Sequence, residues 1–407
     1  MVSLEKRFLK YLSVNTEAVK NSGKVPSSNG QVEFAMKLAD ELRLIGLVDV
    51  EFSNGILYGR KMADYKKRGY SLGFVTHIDT YPMGRVIPVE YLVINDFNST
   101  KLKNASNKVY PSGMLDDLQR SQLHKKVVFS EGNTNLGADD KAGIAVVVTA
   151  VEKIIRDKIP TPDIYFAFVS DEEIGLGASR LDYDKYKADY SFVIDGEALG
   201  EISISEMLHF SCFIKAIGNY SFLGDAHKTM VNAIELLNRF IGNVDDSKFP
   251  QNNSMGDVYI HFDSVQGDVS LALLSCSIMS HSKLTLEDDV KKIYSLCEKL
   301  NSKYGDGRIR VIRPRYSKFN TYYKNDDENI VKILRSAIRE NGIEPNEIRF
   351  NGITDSIVIR SEGKKAITMG VGCGGFHSKY EWASISDMLT SVDILVSLMS
   401  ETMVAEG

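Results

Sequence analysis

Apolar residues recur along the chain in two textures. Leu4, Phe8, Leu9 and Leu12 follow helical spacing, and residues 29–45 repeat it with Leu38, Leu42 and Ile45 on one face and Gly46 as a stop. Short apolar runs then predict strands over 48–52, 56–60 and 71–76, the last emptying into HIDTYP (77–82). A long helix over 141–156 follows the Asp139-Asp140 pair, and Pro160 and Pro162 close the connection after it. IYFAFV (164–169) reads as a buried strand ending in Ser170-Asp171-Glu172-Glu173, and 191–194 as another ending in Asp195-Gly196. Continuous apolar strands alternating with helices predict an α/β domain with a mostly parallel sheet covered on both faces. Residues 82–135 are polar in patches, with a short helix near 115–123. They read as an excursion that returns to that sheet.

After about Ser205 the pattern changes. Strands are predicted over 209–217, 258–262, 269–279 and 308–312, with helices over 230–241 and 286–300. Strand, helix, two strands, helix, strand is the order of a ferredoxin-like α/β sandwich. From Ser317 the first texture returns, with helices over 328–340 and 385–400 and strands near Ile348 and over 366–371. The economical organisation is one α/β domain formed by 1–206 and 319–407, with a smaller domain, 207–318, inserted into it.

A length of 407 residues suits two domains. Hydrophobic residues at 43% and charged residues at 25% exclude a disordered or collagen-like chain. Lys plus Arg number 49 against 54 for Asp plus Glu, so the basic surplus of a nucleic-acid binder is missing. Apolar runs such as 145–151 and 270–279 fall short of the ~20 residues that span a bilayer. Glu5, Lys6, Arg7 and Lys10 interrupt any export-signal core, so a cytoplasmic location is expected. Cys212, Cys276, Cys297 and Cys373 are scattered, as reduced buried thiols are.

The chemistry gathers at predicted strand ends, where open α/β sheets bind ligands. Those ends, or the turns after them, carry His77 and Asp79, Asp139, Glu172 and Glu173, and Asp195; His377 lies in a further segment. Imidazole with carboxylate suits zinc and related divalent ions, and the set exceeds what one tetrahedral zinc needs. The surplus points to two metals sharing a carboxylate. Each group alone has a plainer reading: a polar strand-end histidine, an aspartate pair capping a helix, a solvated glutamate turn, an ordinary type I turn. Their conjunction, each after an apolar run, favours the metal.

VPSSNGQ (25–31), HIDTYP, NLGADDKAGIA (135–145), SDEEIGLGA (170–178), VIDGE (193–197) and FHSKYEW (376–382) together resemble the peptidase T branch of the dinuclear zinc exopeptidases, which include carboxypeptidase G and the aminoacylases. The match runs nearly end to end. It implies a catalytic domain interrupted by a lid that often mediates homodimer contacts, two divalent metals with zinc as default, and short peptides as substrates. By the same resemblance His77 and Asp195 bind one metal, Glu173 and His377 the other, and Asp139 bridges them. Asp79 orients His77, Glu172 is the general base, and the Asp139-Asp140 peptide is cis.

Three positions depart from that pattern. Phe222, in GNYSFLG (218–224), stands where the family has a lid histidine, with His227 five residues on as a substitute. Met279 stands at a lid arginine, with His281 nearby. Asn351 replaces the arginine that holds the peptide carboxylate, with Arg349 close by. Two readings follow. The chain is a metallo-aminopeptidase of altered specificity, or it is a catalytically impaired or re-specialised homologue: an aminoacylase-like hydrolase or a metal- or peptide-binding protein.

Overall fold

The computed structural model describes residues 2–64, 70–84, 89–97, 125–253, 256–316 and 328–400. In chain order the strands are β1 (Val48–Ser53), β2 (Ile56–Lys61), β3 (Leu72–His77), β4 (Tyr91–Phe97), β5 (Lys125–Ser130), β6 (Ile164–Val169), β7 (Tyr190–Gly196) and β8 (Glu201–Ser205). They continue as β9 (Leu208–Ile217), β10 (Val258–Gly267), β11 (Leu271–Ser280), β12 (Ile309–Tyr316), β13 (Asn346–Arg349), β14 (Lys365–Gly370), β15 (Cys373–Gly374) and β16 (Trp382–Ser384). The chain divides into two compact units, one from the described residues of 1–204, 323–348 and 354–407, the other from those of 205–322 and 349–353.

The first unit is built on an eight-stranded sheet, ordered β1-β2-β6-β3-β7-β14-β8-β13. The strands at its centre, β6, β3, β7 and β14, run parallel, and antiparallel pairings flank them. Strands β3, β6 and β7 are buried at every position, which explains their unbroken apolar runs. The helix Ala138–Asp157 packs on β3 and β7 and beneath the helices Leu4–Leu12 and Ile385–Met399. Being covered on several sides, it is apolar nearly all round. Asp139 and Asp140 have non-helical backbone angles, so regular helix begins at Lys141, where the sequence places it.

The described residues of the excursion over 82–135 do not rejoin the main sheet. β4 and β5 form a separate four-stranded sheet, ordered β15-β16-β5-β4, with Trp382 opposite Phe129. Its partner strand comes from some 250 residues downstream, a pairing that local periodicity does not reveal. The helix expected near 115–123 and the domain junction at 318–319 lie outside the described residues.

In the second unit, β9, β10, β11 and β12 form an antiparallel sheet ordered β10-β11-β9-β12. The helices Ala233–Ile241 and Lys283–Tyr304 pack against it, giving the ferredoxin-like arrangement. β9 alternates buried and half-buried positions along its length, and its buried Phe210, Cys212, Ile214 and Ala216 face a core containing Phe240 and Ile293.

Candidate metal centre

Three neighbouring parallel strands end together. His77 is the last residue of β3, in register with Val169 at the end of β6, and Asp195 is near the end of β7. Asp139 enters from the start of the helix Ala138–Asp157, and Glu172 and Glu173 from the short turn after β6. His377 comes from the loop before β16, in a left-handed backbone conformation (φ +53°). All belong to the first unit.

Asp139 stands between the histidines. Its Oδ1 is 2.7 Å from His77 Nε2, and its Oδ2 is 3.1 Å from His377 Nε2. His77 Nε2 also lies 3.4 Å from Asp195 Oδ1, and His377 Nε2 lies 2.8 Å from Glu173 Oε2. Potential ligand atoms of His77, Asp139 and Glu173 lie within 4.8 Å of one another, as do those of His77, Asp140 and Asp195. The sequence-predicted ligands are thus brought together. His77, Asp139 and Asp195 are buried, whereas the His377 side chain is 46% exposed, so the cluster opens to solvent on that side. Tyr81 stacks on the His377 ring with centroids 4.1 Å apart.

Adjacent acids divide their tasks. Asp140 Oδ1 accepts from Gly143 N and Oδ2 from His77 N, so the capping role falls to Asp140 and leaves Asp139 facing the imidazoles. The Asp139-Asp140 peptide is cis. Glu173 reaches His377, while Glu172 is its half-buried neighbour. The Asp79 carboxylate accepts from the main-chain N–H of Glu172 and of Glu173, each at 3.1 Å. Beside His77 Nδ1, its main-chain oxygen stands at 3.1 Å and its carboxylate at 3.4 Å.

Crowded carboxylates shift one another. Burial, then Asp139, pushes Glu173 up to about 8, and burial raises Asp195 to about 7. Burial, then Asp355, raises Glu172 well above its ordinary range. For His377 burial opposes the charge, but hydrogen bonds to Asp139 and Glu173 outweigh it and lift the imidazole to about 11. Without a cation, the cluster therefore holds protons where positive charge is wanted. Glu173 Oε1 is also buried with no hydrogen-bond partner. Hard and borderline donors, an orphaned carboxylate oxygen and an excess of negative charge fit divalent cations.

Three neighbours of this cluster escaped the sequence reading. Glu381 accepts from Gly137 N at 2.7 Å and Asp139 N at 2.9 Å, fixing the segment that presents Asp139. Its signal was available: it stands four residues after His377. Asp355 accepts from Ala178 N at 2.7 Å and is raised to about 6, chiefly by burial. Tyr81 has no sequence signal beyond its place in HIDTYP. In the second unit, Asn351 Oδ1 is 3.0 Å from His281 Nε2, and His227 is exposed on the short helix Ala226–Thr229. Phe222 is 76% exposed.

Residues 137–401 match the peptidase family M20/M25/M40. The chain is 30% identical over 404 residues to peptidase T of Caldanaerobacter subterraneus subsp. tengcongensis and 28% identical over 402 residues to that of Clostridium perfringens, covering 98% of both sequences in each case. Its fold matches a Staphylococcus aureus tripeptidase (TM-score 0.73, 21% identity, 98% of each chain) and a Bacillus cereus aminopeptidase (TM-score 0.71, 20% identity, 99% of this chain and 98% of that one). With two-thirds of its length inside the family match and a relative at 30% identity end to end, this chain belongs to the peptidase family M20/M25/M40.

Proposed function

We propose that this peptidase is a metallo-aminopeptidase that releases the N-terminal residue of short peptides. His77 and Asp195 would hold one divalent cation, Glu173 and His377 a second, with Asp139 between them. The observation that carries the reading is the Asp139 carboxylate, with one oxygen on each histidine. Zinc is the proposed metal, because imidazole and carboxylate suit it; manganese and cobalt accept similar donors. Bound cations supply Lewis acidity, which lowers the pKa of water toward ~7 and polarises a carbonyl.

The protein's own groups do the rest. Glu172 takes a proton from the attacking water on its carboxylate and returns it to the leaving amine. Asp79 holds the main-chain N–H groups of both glutamates, anchoring the turn that carries them. Glu381 holds Asp139 in place through its N–H. The further proposals are short peptides as partners, a homodimer through the inserted unit and a cytoplasmic location; among the described residues no helix is long and apolar enough to cross a membrane.

A second reading is favoured by particular residues. Phe222 is an exposed ring where the resemblance implies an imidazole, and the side-chain oxygen of Asn351 is engaged by His281. We propose Asn351 and His227 as substrate contacts, and a specificity altered toward other short peptides or N-acyl amino acids. Protein supplied with zinc, cobalt or manganese is expected to cleave an unblocked di- or tripeptide from its amino end. Glu172→Gln is expected to lower that rate by ~10²–10⁴-fold while metal content is kept. Cleavage of N-acyl amino acids alone would select the aminoacylase-like reading. No cleavage across a panel of free and blocked peptides, with two metals bound, would leave a binding protein.

A further inference from the structure

The segment VPSSNGQ (25–31) lies outside the metal cluster, and the mechanism leaves it without a task. Its residues nevertheless converge on one atom group. Ser27 N donates to both carboxylate oxygens of Asp171, at 3.0 and 3.1 Å. Gln31 Nε2 donates to Asp171 Oδ1 at 2.9 Å, and Gln31 Oε1 accepts from Asp171 N at 3.2 Å. Arg180 Nη1 adds a contact to Oδ2 at 3.2 Å. Asp171 and Gln31 are both fully buried. One glutamine side chain therefore grips both the main chain and the side chain of a residue some 140 positions away, and Ser27 Oγ in turn accepts from Gln31 Nε2 at 3.1 Å.

The gripped residue is unusual. Asp171 has φ +62°, a left-handed conformation uncommon outside glycine, which aspartate adopts more readily than most residues and which its hydrogen bonds hold here. Its main-chain oxygen accepts from Leu176 N and Gly177 N, closing the turn that contains Glu172 and Glu173. Rotation at Asp171 therefore swings both glutamates. Gly30 shows how closely the segment must seat: a Cβ there would stand 1.9 Å from Asn15 O.

We infer that Gln31 and Asp171 are positioning residues, which set the direction of Glu172 and Glu173 through the backbone of their shared turn. This rests on the roles proposed above for the two glutamates. A displacement of ~1 Å at a reacting group can cost ~10²-fold in rate, and loss of a group that orients a metal ligand costs ~10–100-fold in affinity or activity.

The test compares Gln31→Met, which keeps length and removes both hydrogen bonds to Asp171 together with those to Ser27 and Ser28, with wild type and with Asp171→Asn. Asparagine tolerates positive φ and keeps a side-chain acceptor. Gln31→Met is expected to lower kcat by ~10–100-fold at unchanged KM. Its affinity for added zinc or manganese, titrated calorimetrically, is expected to fall by a similar factor, because Glu173 moves with Glu172. Asp171→Asn, which keeps an acceptor for Gln31 Nε2 and Ser27 N, is expected to retain most of both. If Gln31→Met does not fold, Asp171→Gly carries the test, since glycine takes the left-handed conformation freely and offers no carboxylate. A variant with a lowered Tm but wild-type kcat and metal affinity overturns the inference, leaving the brace a fold element only. Should wild type cleave no peptide, the hydrolase reading fails, and the metal titration alone decides the positioning role: unchanged affinity in Gln31→Met overturns it.

Discussion

The two units bury different things. The first takes His77, Asp79, Asp139, Asp140, Asp171, Asp195 and Asp355 out of water, all at 8% exposure or less. The second has a core of aliphatic, aromatic and thiol side chains, with Phe210, Ile214, Phe240, Leu274 and Cys276 on or against its sheet. Packing alone rewards the second arrangement. It does not reward the first, because buried carboxylates cost free energy unless they are paired or bind a cation. The first unit has its own apolar core around Phe74, Phe166 and Phe192, and the second also buries Glu206, His281 and Asp289, so the difference lies in the convergence of several acids and a histidine at one point of the first unit.

The sharpest way to break that contrast is to remove its central carboxylate. Asp139→Ala is expected to strip most bound metal, measured by elemental analysis of protein purified with excess zinc, because one carboxylate serves both histidines. The second unit should keep its thermal transition. Full metal content in the variant would take Asp139 out of the site.

The opposite substitution probes the other side. Phe240 is fully buried among Leu236, Leu237 and Phe262 of the inserted unit. Phe240→Ala is expected to destabilise that unit by ~3–5 kcal/mol, read by denaturant unfolding, while metal binding survives below the transition. Simultaneous loss of metal would show that the two interiors are not independent.

The same contrast explains what could be read without coordinates. The helices Asn29–Ile45 and Glu328–Glu340 and the strand Ile164–Val169 have the limits their periodicity predicts, because local pattern and burial agree there. The candidate ligand residues stood out by conjunction: each alone has a plainer structural reading, but ionisable side chains after one apolar run after another do not. The small sheet was not legible: β4 is mostly half-buried or exposed, so its alternation is weak, and the strands on the far side of β5 come from residues 373–384. Strand β8 and the helix Asp355–Ser361 also went unread, being short and flanked by polar residues. Supporting groups were hidden for another reason. Glu381 acts on the N–H groups of Gly137 and Asp139, a task that its nearness to His377 does not announce, while the capping reading of the aspartate pair was legible but did not say which of the two would cap.

Protons offer a gentler test. In the cation-free protein Glu173 is raised to about 8, Asp195 to about 7 and His377 to about 11. Each folded-state value lies above its unfolded counterpart, about 4.3, 3.9 and 6.5. The folded chain then holds more protons than the unfolded chain across neutral pH, so metal-free stability falls as pH rises through the acid values and on toward about 11. A bound cation displaces those protons, so metal affinity should rise with pH over the same range. The measurement is Tm from pH 6 to 9, with and without zinc. The metal-free curve should fall and the gap between the two curves should widen. A metal-free Tm that climbs with pH would contradict the protonation pattern.

The smallest effect is expected at Phe222, where the family resemblance implies a histidine. The ring is 76% exposed, and Tyr220 and Leu223 beside it are 64% and 73% exposed. It lies over Gly224, where a Cβ would approach it to 2.8 Å, so its contacts are local to the loop. A side chain that stays in water gives little to folding, so Phe222→Ser should change stability by no more than ~0.5 kcal/mol. A loss of the size expected for Phe240→Ala would mean that the loop is packed, and the second unit would then carry buried structure beyond its sheet and helices. A null effect on Tm leaves the aromatic ring without a folding role. A change in the ranking of cleaved peptides in the same variant would then assign it to substrate choice, and the inserted unit would differ from the one that holds His77 and Asp139 in location of chemistry, at its surface rather than in its interior.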